Sequence, residues 1–203
     1  MRTRFPALVI LSALAVPALA APETFDFKDP KGVNSITFKL DAPMEKINGT
    51  ANGISGTVTF DPQNPGATKG RIVAATDSLT VPNGMQTSIM RGNQWLDAAK
   101  NPEIIFEVKE LKNVKTEGDK TTADVAGTFS LKGVTKELTV PVELSYLKDK
   151  LADRVPGQKG DLLVIRGKFS IQRKDFNIQP GKSEDKVADT INLELGIAGA
   201  AAK

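Results

Sequence analysis

The sequence predicts an all-β protein of antiparallel strands, and three observations carry that prediction. From residue 33 onward apolar side chains recur at every second position, the period of a strand with one buried face. Clusters of Gly, Pro, Asn and Asp separate these runs, as turn chemistry requires. Only residues 82–102 depart from the period over a length that would hold helix.

In chain order, "SITFKL" (35–40) sets Ile36, Phe38 and Leu40 against Ser35, Thr37 and Lys39. A short strand is expected near "KINGTANG". "GTVTFD" (56–61) sets Val58 and Phe60 against two threonines, and "DPQNPG" ends it. In "GRIVAAT" (70–76) Arg71 faces out, so Ile72 and Ala74 face in. Residues 82–102 break the alternation: Met85 and Ile89 are one helical turn apart, and Trp95-Leu96 with Ala98-Ala99 predict a second short turn before Asn101-Pro102. One or two short helices are expected there. "EIIFEVKEL" (103–111) places Ile104, Phe106 and Val108 on one face. "GTFSLKGVTKELTVPVEL" (127–144) reads as two strands around a glycine turn, with Phe129 and Leu131 on the first and Leu138, Val140, Val142 and Leu144 on the second. The polar segment 148–160 is a surface loop. "LLVIRGKFSIQ" and "DTINLELGI" supply the last two strands, with Phe169 and Ile171 on the apolar face of the first. These runs amount to about eight or nine strands.

A sandwich and a closed barrel both accommodate such a pattern. An outer-membrane barrel would turn its apolar faces outward. Charges in mid-strand (Lys39, Glu107, Lys168, Glu194) suit water outside better.

The first twenty residues are read as a secretory signal peptide: two arginines, an apolar run of sixteen, and Ala18-Leu19-Ala20 as a cleavage site. Residues 21–203 are then a single domain located in the periplasm or secreted. Cleavage would remove Arg2 and Arg4, leaving 25 basic against 24 acidic side chains, a balance with little footprint for nucleic acid. The chain has no cysteine and no histidine. Catalysis through Ser-His-Asp or Cys-His, and metal sites built on His or Cys, are excluded. No cofactor, metal site or catalytic group is expected, and the chain is read as a non-enzyme. Tyr146 with nearby lysines is too little for a site. Arg166, Lys168, Arg173 and Lys174 form a basic group that reads as solvated charge, or more sharply as a positive rim for an anionic head group.

The ordered series of segments resembles the YceI-like family of exported lipid-binding proteins. "FSLKGVTK", the path from "WLD" to "NPEIIF", and "QRKDFNI", which is similar to the family's Arg-x-Asp-Phe-Gly motif, carry the resemblance over residues 24–198. Two departures stand out. Asn34, Leu40-Asp41 and Gly92-Asn93-Gln94 occupy places where the family usually has histidine, and Asn177 stands where it has glycine.

The resemblance implies a lipocalin-like antiparallel barrel of about eight strands. Its interior would hold a polyisoprenoid, a quinone or a similar long apolar ligand. The expected wall is Phe38, Phe60, Ile72, Ala74, Phe106, Val108, Phe129, Val140, Phe169 and Ile171, with Met85, Ile89 and Trp95 near an entrance. Ala74, Gly127 and Gly167 fall on inward positions and would leave space. The partner is an apolar, lipid-like small molecule; peripheral membrane contact and oligomeric state stay open. The competing reading is a filled, dry barrel serving as a structural or stress-related interaction protein.

Overall fold

The computed structural model describes residues 21–203; the expected signal peptide lies outside the described residues. Eleven strand segments form one antiparallel sheet: β1 (Glu23–Asp26), β2 (Ser35–Asp41), β3 (Lys46–Ala51), β4 (Ile54–Phe60), β5 (Lys69–Ala75), β6 (Leu79–Thr80), β7 (Glu103–Glu117), β8 (Lys120–Leu131), β9 (Val134–Leu147), β10 (Gly160–Gln172) and β11 (Thr190–Ala202). Two α-helices accompany them, α1 (Gly84–Arg91) and α2 (Leu151–Arg154).

The eleven segments make eight staves. β1 and β2 lie end to end along one edge of β11, pairing Asp26 with Ala200 and Ile36 with Leu195. β4 pairs with β1 and β3 with β2, while β5 pairs with β4 and β6 with β3. The first three staves are therefore interrupted strands. β7 to β11 are five long ones in meander order, and the β1–β11 pairing closes the ring. That pairing makes the sheet a barrel, with β9 and β10 paired over Val142–Leu147 and Leu162–Gly167. Periodicity had left sandwich and barrel both open; the structure is a closed eight-stranded barrel.

Turn chemistry fixes the register. Leu131 pairs with Val134, and the two residues between them, Lys132 (φ 50°) and Gly133 (φ 73°), take the left-handed conformations of a tight hairpin. Between β7 and β8 the two-residue turn is Gly118 (φ 63°) and Asp119, with Glu117 opposite Lys120. Two register irregularities in β7, between Val108 and Glu110 and between Lys112 and Lys115, shift its alternation. β7 therefore runs well past Leu111, where the simple pattern stops.

Within residues 82–102 one α-helix forms, not two. Asn83 caps α1 by accepting from the amides of Met85 (2.9 Å) and Gln86 (3.2 Å). The segment from Gly92 to Asn101 is a chain of hydrogen-bonded turns, including Trp95 N to Gly92 O and Asn101 N to Asp97 O. The second helix, α2, lies in the polar loop after β9, where Leu151 is fully buried.

Candidate functional site

The two ends of the barrel are built differently. At the end holding the β7–β8 turn, α2 and the chain's last residues, the interior is filled. Phe25, Phe27, Phe60, Leu163 and Ile197 are all at most 1% exposed. The Tyr146 ring meets Phe25 edge-on at 6.2 Å and Phe60 at 6.1 Å. Tyr146 Oη donates to Asp161 Oδ2 at 2.5 Å, so this plug also carries a buried polar knot.

The other end is hollow. A cavity of about 220 Å³ lies among the ends of β2, β3, β5, β7, β8, β10 and β11. Its wall is Ile36, Phe38 and Leu40 from β2, Ile47 and Ala51 from β3, Ala74 from β5, Ile104 from β7, and Phe129 with Leu131 from β8. Phe169 and Ile171 from β10 and Ile191 and Leu193 from β11 complete it. α1 and the turns after it cover the mouth with Ile89, Met90, Trp95 and Leu96, and the loop before β11 adds Ile178 and Val187. Leu79 and Val81 join the cover to the wall. Among the described residues only Glu45, Gln86 and Arg173 bring polar side chains.

Of the thirteen residues picked from sequence, seven line this cavity: Phe38, Ala74, Ile89, Trp95, Phe129, Phe169 and Ile171. The other six lie elsewhere. Phe60 belongs to the filled end, and Val140 is buried opposite Val125. Ile72, Phe106 and Val108 pack on the same core outside the cavity. Met85 is 75% exposed on the outer face of α1. Alternation tells which face a residue is on; it does not tell how far along the barrel axis a residue sits.

The inward glycines do not make the space. A side chain at Gly127 would meet the Phe106 ring at 2.8 Å and the Glu107 carbonyl at 2.3 Å. At Gly167, Leu195 and the Pro141 carbonyl already stand at 3.0 Å. Phe38 similarly lies over Gly49, its cross-strand partner. The glycines accommodate neighbouring side chains, and the hollow comes instead from small residues at the mouth end, Ala51 and Ala74.

The cover is held by a buried arginine. Arg173, which by sequence reads as solvated charge or as part of a positive rim, is 1% exposed. Its Nη1 donates to the carbonyls of Ile178 (2.8 Å) and Gln179 (2.7 Å), and Nη2 to those of Lys182 (2.9 Å) and Val187 (3.1 Å). Its Cζ sits 5.4 Å from the centre of the Trp95 ring. Gln179 Nε2 reaches Gln94 O at 2.9 Å, so the two pieces of the cover meet over this side chain. Lys132, in the hairpin turn, donates to Asn177 O at 2.8 Å and ties the barrel rim to the same loop. Burial pulls the Lys132 ammonium below its usual range.

The departures from the family pattern also find places. Asn34 is buried, donating to Phe27 O and Ala198 O and accepting from Ala198 N and Arg154 Nη2. It clamps the gap between β1 and β2 onto β11. Leu40 lines the cavity. Asn177 has φ 53°, ψ 33°, a left-handed position that asparagine tolerates in glycine's stead.

Fold and site together define a class: a closed antiparallel barrel with one apolar chamber under a helical cover. The model of the YceI-like domain matches residues 29–198, and the chain belongs to the YceI-like family. It is 32% identical over 133 residues to a UPF0312 protein of Pseudomonas aeruginosa, covering 66% of this chain and 64% of that relative's length. It is 31% identical over 150 residues to Protein YceI of Salmonella arizonae, covering 73% of each. Among solved structures it is similar to Burkholderia cenocepacia BcnA (TM-score 0.66, 22% identity, 81% of this chain and 95% of that one). It is also similar to a polyisoprenoid binding domain from Saccharophagus degradans implicated in plant cell wall breakdown (TM-score 0.64, 11% identity, 89% and 99% covered).

Proposed function

We propose that this protein binds the apolar end of an isoprenoid or similar lipid-like molecule in the chamber beneath α1, as an exported carrier or store rather than an enzyme. One observation carries the reading: a cavity of about 220 Å³ whose wall is almost wholly aliphatic and aromatic. Such a wall rewards apolar surface and offers little to a polar solute. The name of the Saccharophagus domain, similar in fold, supports the same ligand class.

The volume bounds the guest. An engineered apolar cavity of about 150 Å³ holds benzene, so the chamber takes roughly nine or ten carbons, about two isoprene units. The aromatic plug of Phe25, Phe60 and Tyr146 blocks deeper entry. A longer polyprenyl or quinone tail would insert its last units and leave the remainder outside. The leader read in residues 1–20 would deliver the protein across the inner membrane, with cleavage after Ala20; N-terminal sequencing of protein from the periplasmic fraction tests that part.

The binding test is native mass spectrometry after detergent-free purification, then titration of stripped protein with isoprenoid alcohols of increasing length. Affinity is expected to rise up to about ten carbons and then level off. Absence of any co-purified lipid together with no uptake of any alcohol would overturn the reading.

A further inference from the structure

One flank of the chamber is closed by side chains rather than by a strand ladder. β8 pairs with β9, and β10 with β11, along nearly their whole lengths. β9 and β10 pair only over Val142–Leu147 and Leu162–Gly167, which leaves residues 134–141 of β9 and 168–172 of β10 without a ladder between them. Pairing stops at Pro141, which has no N–H to carry it further.

The unpaired stretch lies at chamber height. Phe129 and Leu131 of β8 and Phe169 and Ile171 of β10 line the chamber, while among the described residues no side chain of β9, the strand between them, does. Lys136 shows why. It stands opposite Phe129 in the β8–β9 ladder, hence on the same inward face, yet it is exposed. Val140, on that face nearer the paired end, is buried. β9 therefore swings away from β10 toward the hairpin tip, and its inner face meets water. Aromatic rings seal the chamber there: Phe129 meets Phe169 edge-on at 6.1 Å and Phe176 edge-on at 5.5 Å. Phe176 belongs to the 3-10 turn Arg173–Phe176 that follows β10, and the bond from Lys132 to Asn177 O ties the end of that turn to the hairpin tip.

We infer that the gap between β9 and β10 is a side gate to the chamber, through which an apolar chain slides when the Phe169 and Phe176 rings swing aside. This rests on the binding reading above and adds a path beside the one under α1. Turning a ring between rotamers breaks no hydrogen bond, whereas parting two laddered strands breaks several. Leu138, partly buried on the core, and Phe169 give the gap apolar flanks, so a hydrocarbon guest crosses it without a polar barrier.

The chain has no cysteine, and Thr139 and Ser170, both exposed, would face each other if the β9–β10 register continued. Thr139→Cys with Ser170→Cys, joined by a short bismaleimide, straps the gap without touching the chamber wall. Trp95, the single tryptophan, lines the chamber and reports farnesol uptake and release by stopped-flow fluorescence. The strap is expected to slow both rates at least three-fold relative to the same variant with capped thiols, while the affinity measured by calorimetry stays within two-fold. Lys136→Phe, which fills the wet inner face of β9, is expected to do the same and decides the matter if the strapped protein does not form or fold. Exchange at the original rate overturns the gate and leaves the path under α1. Slower uptake with unchanged release, and affinity lowered to match, makes the gap part of the binding site and also overturns the gate. No binding of farnesol or geraniol to the unmodified protein removes the chamber reading itself, and this inference with it.

Discussion

Asp161 is buried at the filled end of the barrel and ionised there. Burial opposes its charge, but Lys203 Nζ (2.8 Å), Tyr146 Oη (2.5 Å) and the Asp149 amide (2.8 Å) all donate to it, and together they hold its pKa down at about 2. Glu23 beside it goes the other way: burial and the Asp161 carboxylate raise its pKa, against the opposing pull of Lys203. Asp161, depressed below its unfolded value near 4, adds stability above that value and loses it as pH falls from about 4 to about 2. Glu23, raised, is favourable while protonated and loses that contribution as pH climbs through its folded pKa. Asp161→Asn is therefore expected to cost about 2 kcal/mol at pH 7, with the gap to the unmodified protein closing toward pH 2. Glu23→Gln is expected to match the unmodified protein at pH 4 and to exceed it at pH 7. Thermal melts across pH 2–8 check both. A Glu23→Gln protein that melts lower at pH 7 would mean that the charged form of Glu23 is stabilising.

At the scale of elements, the weak part of the molecule is the cover. α1 has no fully buried residue, and Ile89 is 52% exposed while also reaching the cavity. The helix is held by its Asn83 cap, by Thr87 Oγ1 bonded to Val81, and by Arg91 Nε donating to Leu79 O at 2.9 Å. An element with so little burial opens locally before the barrel unfolds. Asn83→Ala removes the cap at a cost of about 1 kcal/mol. Amide exchange in the last turn of α1 is expected to quicken roughly five-fold, with the global melting temperature nearly unchanged and ligand release faster. A lower melting temperature with unchanged α1 exchange would place the helix inside the cooperative barrel core. The elements also mark where sequence reading succeeded. Strands with clean alternation, such as β2 and β10, were visible, as was the β8–β9 hairpin. β1 and β6 were too short to show a period, and the far half of β7 was obscured by its two irregularities and by charges near the barrel end. Of the one or two short helices expected in residues 82–102 one forms; near Trp95 the chain makes turns because Gly92 O accepts from both Trp95 N and Asp97 N, and Asp97 takes a left-handed φ of 48°.

For the molecule as a whole, the barrel is half plug and half chamber, and the two halves call for opposite substitutions. Ala74→Leu with Ala51→Leu adds carbon into the hollow end and is expected to abolish uptake of isoprenoid alcohol while leaving or raising the melting temperature. Phe60→Ala cuts into the plug and is expected to cost about 3–5 kcal/mol, with uptake retained. Uptake surviving the double leucine change, or vanishing with Phe60→Ala in protein that remains folded, would move the binding region to the other end.

The sequence by itself determined the all-β class, the apolar identity of the wall, the exclusion of histidine and cysteine chemistry, and, through its resemblance, the family. These depend on local period, composition and ordered motifs, which survive in one dimension. Only the tertiary structure decided that three staves are interrupted strands, that Phe60 and Tyr146 plug one end while Ala51 and Ala74 open the other, and that Arg173 is buried. Position along the barrel axis and distance from bulk water arise from strand stagger and from what packs across the ring. Residues far apart in the chain set them, so alternation along a single strand carries no trace of either.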